Sequence, residues 1–289
     1  MPRGKSNAPG KPEDKPNAAW SDPDLREPRY SQSLERGLAI LGCFSSERPV
    51  LGIADIADSL GMSRSTTHRY VITLVALGYL EQGASRKYRL GLRVTDLGMS
   101  ALGSAGLREH SHPELEELRQ RTSYTAGLGV LDGEEVLYVD RARGLRREQD
   151  EAKPDPRPGS RLPAHATAIG KLLLAYLPEH EQREMIAKMT LTKRGPNTIT
   201  AKKTLRDELE RIRQEGLAVD DQELASELRT LAAPVRDQTG AVRAAVNLSV
   251  PSTTAPLAEL VDSLGPPLVA TAERISASLG YRGSGDDDE

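Results

Sequence analysis

Between residues 31 and 91 the apolar positions keep a helical rhythm broken by short turns. Leu38, Ile40, Leu41 and Phe44 mark a first helix from about Ser31 to Phe44, with Ser31 or Ser33 as its cap. Ile53, Ile56, Ala57 and Leu60 mark a second helix, and Thr67, Val71 and Leu74 share one side of a third that runs to Leu77. The spacing Ala57-x3-Gly61-x-Ser63 suits two helices joined by a tight turn. Ala57 allows close approach, Gly61 supplies a positive φ, and Ser63 caps the following helix. Glu81 to Leu90 then reads as a polar turn between two short strands. Helix-turn-helix followed by a hairpin predicts a winged DNA reader over residues 30–91.

Beyond it, Leu92, Val94, Leu97, Met99, Leu102 and Leu107 predict a linker helix over 92–109. Gly98, Gly103 and Gly106 weaken that helix in isolation, so it should depend on contacts with a second copy of itself. From about His110 the pattern turns to mixed α and β. A helix is expected from Pro113 to Arg121, and strands at Tyr124–Leu131 and Glu135–Arg141 joined at Asp132-Gly133. Helices follow at Thr167–Leu177, Glu179–Met189 and Thr204–Gly216. A second hairpin spans Leu228–Arg236 and Ala241–Val250, and a closing helix spans about Pro256–Leu279, interrupted by Pro266-Pro267. Residues 110–281 thus form an α+β domain with a largely antiparallel sheet.

Charge sharpens the first of these readings. The whole chain of 289 residues is at −3, which by itself points to no nucleic acid. From Gly61 to Arg93, however, Arg64, Arg69, Arg86, Lys87, Arg89 and Arg93 face only Glu81, a local net of +5. With Thr67, Val71 and Leu74 inward, Ser65 and Arg69 face away and Thr66 and His68 flank them. Arg69 is the candidate for a bidentate guanine contact, with Ser65, Thr66 and His68 as shorter readers. Arg64 and the wing residues Arg86 and Lys87 are candidate phosphate contacts. A plain helical hairpin with a solvated basic face is the competing reading. Turn, cap, core period and wing in order argue against it.

The ends carry little structure. Six prolines among polar residues make 1–29 a tail that cannot bury a core, and 282–289 is an acidic tail ending Asp286-Asp287-Asp288-Glu289. The single cysteine, Cys43, lies in an apolar series and is expected as a buried thiol in a reducing compartment. With no signal segment and no membrane-length apolar run, the expected location is the cytoplasm and no membrane partner is expected. No catalytic, cofactor or metal set emerges. The five histidines are scattered apart from His110-x-His112, which suits a surface or capping role at a helix start. No serine sits in a nucleophile-elbow context.

Several segments together resemble the IclR family of transcriptional regulators over nearly all of 31–280. They are Ser33 to Leu41, Ile56-Ala57…Gly61, Ser65-Thr66…Arg69, Leu77-Gly78-Tyr79-Leu80, Arg89-Leu90-Gly91, Pro158 to Lys171, Leu228 to Val235 and Ala244 to Ser249. The resemblance implies an α+β fold: an N-terminal winged helix-turn-helix plus a C-terminal GAF-like effector domain with an antiparallel sheet. It also implies dimers or dimers of dimers on an inverted-repeat operator in duplex DNA, with RNA polymerase a candidate partner. Gln32 to Ala39, Tyr124-Thr125-Ala126 and Gly159 to Ala164 look most like the branch controlling aromatic-acid and β-ketoadipate catabolism. The chain departs from the family at Thr67, usually an apolar slot. It departs again at Arg146–Arg157, where charges and two prolines argue for a loop in place of a strand and put one pocket wall in doubt.

By motif position the family's effector contacts fall on Leu162, Ala168, Ile169, Asp220, Thr230, Asn247 and Ser249. The start of the Thr167 helix, with small neighbours, suits an anion, although a plain capped helix reads the same way without the resemblance. Leu162 and Ile169 would be apolar walls, and Thr230, Asn247 and Ser249 hydrogen-bonding groups. Asp220 would repel a carboxylate and better holds a ligand hydroxyl or a backbone amide. The implied effector is a small carboxylate from aromatic-acid breakdown. The alternatives are a short keto acid such as pyruvate or glyoxylate and, from another class, a GAF-like enzyme.

Overall fold

The first helix opens at Ser31, whose hydroxyl accepts from the Leu34 amide, giving α1 (Gln32–Gly42). This computed structural model describes residues 30–45, 48–103, 107–145 and 154–283. The expected tail 1–29, residues 284–289 of the expected acidic tail 282–289, and residues 146–153 of the charged segment lie outside them. The described residues form two compact units that divide between Ala101 and Leu102, inside the expected linker.

In the first unit α2 (Ile53–Leu60) ends on Gly61 at φ 62°, and α3 (Arg64–Ala76) starts from Ser63, which accepts from the Thr66 amide. Strands β1 (Leu80–Gln82) and β2 (Tyr88–Leu90) pair antiparallel as the wing, and Leu51 bridges to Tyr88 as a partial third strand. Ile40, Cys43, Ile56, Val71, Leu80 and Tyr88 form the core, which makes Cys43 a buried thiol whose pKa burial pushes up. Thr67 fits the inward slot because it is fully buried and its hydroxyl donates to the Ser63 carbonyl. α4 (Arg93–Gly103) follows.

In the second unit α5 (Leu107–Thr122) begins well before Pro113, where the sequence pattern alone starts it. Leu107, Leu115 and Leu118 bury one face of α5 against the sheet, and that packing carries the helix through the proline. A single sheet runs β5-β4-β3-β8-β7-β6, with every pair antiparallel. Its strands are β3 (Thr125–Asp132), β4 (Glu135–Ala142), β5 (Arg161–Pro163), β6 (Ala218–Asp221), β7 (Leu228–Arg236) and β8 (Val242–Pro251). The edge strands β5 and β6 are too short to show as a period in the sequence.

One face of the sheet packs on α5 and α9 (Leu257–Ser278); the other packs on α6 (Ala168–Ala175), α7 (Glu179–Lys188) and α8 (Lys202–Glu215). The expected break at Pro266-Pro267 does not occur: α9 is continuous. Pro266 and the two residues whose carbonyls lose a bond, Asp262 and Ser263, are exposed to water. Leu260, Leu264, Leu268 and Ile275 meanwhile hold the helix to the sheet. No described helix is long and apolar enough to cross a membrane.

Candidate functional site

On α3 the inward side is Thr67, Val71 and Leu74, all buried, so Arg64, Ser65, His68 and Arg69 stand exposed on the first two turns. Thr66 is half-buried, and its hydroxyl and that of Ser65 lie within hydrogen-bond distance of the Ser63 hydroxyl. The cap therefore occupies part of Thr66's bonding capacity, and Arg69 is the long donor left on the outward face. On the wing, Arg86 and Lys87 are exposed at the tip, where Ser85 and Arg86 take positive φ. Arg89 differs from them in holding Glu81 across the strands at 2.8 Å, which occupies part of its guanidinium.

In the second unit, strand register brings distant residues into rows. Thr125, Ser249, Thr230 and Asp220 lie side by side on β3, β8, β7 and β6. The next row on that face is Arg141, Gly127, Asn247, Ala232 and Ala218, and the third contains Tyr138, Gly129 and Ala245. A bulge between Leu128 and Gly129 sets three residues of β4 against two of β3, so Tyr138 and Arg141 share one face despite odd spacing.

α6 closes over this face. Thr167 caps it by accepting from the Gly170 amide, and the amides of Ala168 and Ile169 have no partner among the described residues. Ile169 lies 3.2 Å from where a Cβ on Gly129 would be. A Cβ on Gly127 would lie 2.6 Å from Asn247 Oδ1 and 3.5 Å from the Tyr138 ring, so glycine is what lets the amide lie against β3. Leu162 on β5 is half-buried and packs against the same cluster. The rows, with α6 and Leu162, thus bring all seven sequence-derived effector residues to one face of one sheet.

The polar members are buried. Asn247 is 2% exposed; its Nδ2 donates to Ser249 Oγ at 3.1 Å, while its Oδ1 has no partner among the described residues. Asp220, also 2% exposed, accepts from the Glu223 amide at 2.7 Å and the Leu224 amide at 3.4 Å. Burial pushes the Asp220 carboxyl up to about 7, and the charge of Glu223 adds to the rise. The folded state holds this proton above the usual carboxylate range, so the stabilising contribution is full below about pH 4 and is lost as pH rises through about 7. Asp220→Asn should therefore gain on the parent protein as pH rises, by roughly 10 °C in Tm at pH 8 and little at pH 4. Melting curves of the two proteins at both pH values check this, and a difference independent of pH would refute it.

Three neighbours were not legible as site residues. Arg141 is mostly buried and bridges Asp155 at 2.7 Å; burial lowers its pKa while Asp155 opposes. Its guanidinium also donates to the Pro156 carbonyl. Residues 154–157, the described part of the charged segment, form no strand, although just beyond them the Gly159 amide bonds the Tyr138 carbonyl. Tyr138 is buried, which raises its pKa. Lys171 of α6 is 1% exposed, bonded to Glu223, to the Val219 carbonyl at 2.7 Å and to Glu208 at 3.4 Å. A lysine inside the apolar run Ile169–Leu174 was the available signal for this network. His112 pairs with Asp140 at 2.9 Å, which ties α5 to β4.

The arrangement offers donors at a helix start, acceptors on the sheet and apolar walls. Two family models cover the chain: the IclR helix-turn-helix domain matches residues 33–84, and the bacterial transcriptional regulator IclR C-terminal domain matches 99–277. The HTH-type transcriptional regulator XynR of Escherichia coli (strain K12) is 36% identical, over 86% of this chain and 98% of that protein. The p-hydroxybenzoate hydroxylase transcriptional activator of Acinetobacter baylyi is 34% identical, over 88% of this chain and 94% of its own length. Among solved structures, an IclR homolog from Microbacterium hydrocarbonoxydans complexed with 4-hydroxybenzoate is 28% identical with TM-score 0.77, over 86% of this chain and 98% of that one. The chain therefore belongs to the IclR family of transcriptional regulators, pairing a DNA-binding helix-turn-helix with an effector-binding C-terminal domain.

Proposed function

We propose that this regulator controls a catabolic operon for aromatic acids of the β-ketoadipate type and binds a small carboxylate from that pathway, working in the cytoplasm as a sensor rather than an enzyme. The observation that carries the reading is the polar row Asp220–Thr230–Ser249 with Asn247 on the sheet face that α6 covers, together with the amides of Ala168 and Ile169 at the α6 start, which have no partner among the described residues. Free amides at a helix start attract a carboxylate, and Leu162 and Ile169 supply apolar walls for its carbon frame. The likeness to a p-hydroxybenzoate-pathway activator and to a structure holding 4-hydroxybenzoate supports the aromatic class. Calorimetric titration with protocatechuate, 4-hydroxybenzoate, β-ketoadipate, pyruvate and glyoxylate tests it. Micromolar binding of an aromatic acid, lost in Asn247→Ala/Ser249→Ala, is the expected result. Binding of keto acids alone would move the protein to another branch, and no binding at all would remove the site.

On the DNA side, Ser65, Thr66, His68 and Arg69 are the groove-facing set, and Arg64, Arg86 and Lys87 the phosphate contacts, in a dimer or dimer of dimers that selects an inverted repeat. RNA polymerase is a partner of this complex where the regulator activates. Residues 92–108 carry the dimer contacts and pass on the effector signal. The supporting observation is that Leu92 and Leu97 are 78% and 57% exposed in the described chain. Leu97→Glu should weaken self-association by about tenfold or more, since a charge at a covered apolar contact costs over 1.4 kcal/mol. Sedimentation over a concentration series measures it, and an unchanged dissociation constant would count decisively against the assignment.

A further inference from the structure

The outward face of α3 changes chemistry along its length. Ser65, Arg69, Ile72 and Ala76 fall on one line at helical spacing, and all four are exposed. The first two turns of that line carry a hydroxyl and a guanidinium, with the His68 ring beside them. The third turn carries methyl groups. Ile72 is 51% exposed, the one large apolar side chain that the described residues of α3 leave open to water. Thr73 beside it turns its hydroxyl back to the Arg69 carbonyl at 3.0 Å, which removes a polar donor from the patch. Isoleucine gains nothing from burial here, and its branched Cβ forms a helix less readily than alanine, lysine or glutamine would. The same branch leaves essentially one χ1 rotamer in a helix, so the methyls are fixed in place before any contact is made.

We propose that Ile72 reads the 5-methyl group of a thymine in the major groove and sets specificity at a base pair that Arg69 does not touch. That methyl is the apolar group the major groove displays, and it helps to mark a T·A pair among the four. Ile72 stands three residues beyond Arg69, about 4.5 Å along the helix axis. Base pairs step by about 3.4 Å, so its thymine lies one or two pairs from the guanine assigned to Arg69. A protein partner is the poorer occupant. Seated on Ile72, it would also cover Arg69 on the same line, inside the Gly61–Arg93 segment whose net charge of +5 suits phosphates. The inference rests on α3 being the groove-facing helix, as proposed above, and adds an apolar reader to its polar set.

The probe is an inverted-repeat duplex selected by the full chain from a random pool. Each thymine is replaced in turn by deoxyuridine, which removes the methyl and no hydrogen-bonding group. At one symmetric pair of positions the parent protein should bind about 15-fold more weakly by fluorescence anisotropy, about fourfold for each methyl lost. Ile72→Ala should bind the thymine duplex more weakly by a similar factor. It should also bind the thymine and uracil forms of that duplex equally, within about twofold. Its uracil response at other positions, its self-association and its melting temperature should match the parent, because an exposed helix position accepts alanine. Arg69→Ala should keep the methyl response while losing discrimination at its own pair. Three results overturn the Ile72 assignment and leave the groove-facing helix standing: a parent indifferent to uracil at every thymine, a methyl response that survives in Ile72→Ala, or weakened self-association of Ile72→Ala. Failure to select any duplex, or unaltered discrimination in both α3 variants, overturns both.

Discussion

Replacing Lys171 with methionine should destabilise the C-terminal unit by about 3–5 kcal/mol, the usual cost of stripping one partner from a buried ion pair. Methionine matches the volume and adds apolar burial, which works in the protein's favour by about 1–2 kcal/mol. The losses are larger. Lys171 is 1% exposed and bonds Glu223, and Glu223 is itself 6% exposed with Oε2 already unpartnered among the described residues. The Val219 carbonyl would lose a donor as well. Burial already raises the Glu223 pKa against the opposing charge of Lys171, so without that charge Glu223 should fold in protonated and part of the cost will be recovered at low pH. Urea unfolding followed at pH 5 and pH 8 should show the larger loss at pH 8. The paired change Lys171→Met/Glu223→Leu should recover most of the loss, since a neutral pair leaves no buried charge. A single-variant loss under about 1 kcal/mol would show that water or Glu208 compensates the site.

The same variant should disturb the effector site at a distance. The Glu223 amide donates to Asp220, and its carbonyl accepts from the Gly195 amide at 2.8 Å and the Thr198 hydroxyl at 2.6 Å. Lys171 thus positions the turn that holds Asp220. It comes from the same helix whose start offers the free amides, so both sides of the site share one anchor.

Local chemistry was legible and register was not. Gly61 at positive φ, the Ser31, Ser63 and Thr167 caps and the Asp132-Gly133 turn each depend on a few neighbouring residues, and they occur where the sequence places them. The outward set of α3 follows from one helical period. The start of α5 and the continuity of α9 through Pro266-Pro267 depend on packing against a sheet formed by residues far away, and a local proline rule has no access to that. Tyr138 and Arg141 are three apart on a strand, and simple alternation sets them on opposite faces; only the bulge at Leu128/Gly129 turns both toward the site. The seven effector positions came from motif likeness, and the sheet order explains why they can act together. β6, β7 and β8 are neighbours, so residues 220, 230, 247 and 249 converge without any sequence signal of pairing.

Changing Arg69 to alanine should cost about 1–3 kcal/mol of operator binding and relax specificity at one base pair. Arg69 is exposed on the second turn of α3, opposite the buried Thr67, Val71 and Leu74, so its guanidinium is carried toward whatever groove the helix enters. The shorter outward groups cannot replace it: Ser65 lies in contact with the cap residue Ser63, and Thr66 is half-buried. Lys87→Ala should behave differently. An exposed wing-tip lysine neutralises one phosphate, so its loss should weaken operator and unrelated duplex alike and reduce the salt slope by about one. Glu81 sharpens the contrast. It holds Arg89 at 2.8 Å, so Arg89→Ala should remove a wing ion pair worth little and change the slope less than Lys87→Ala does. Fluorescence anisotropy across a salt series, on an inverted-repeat operator and on duplexes carrying single base changes, separates the three. Equal losses for Arg69→Ala on every sequence would make Arg69 a phosphate contact. Full retention of operator affinity in both Arg69→Ala and Lys87→Ala would mean that α3 and the wing do not form the DNA-contacting face.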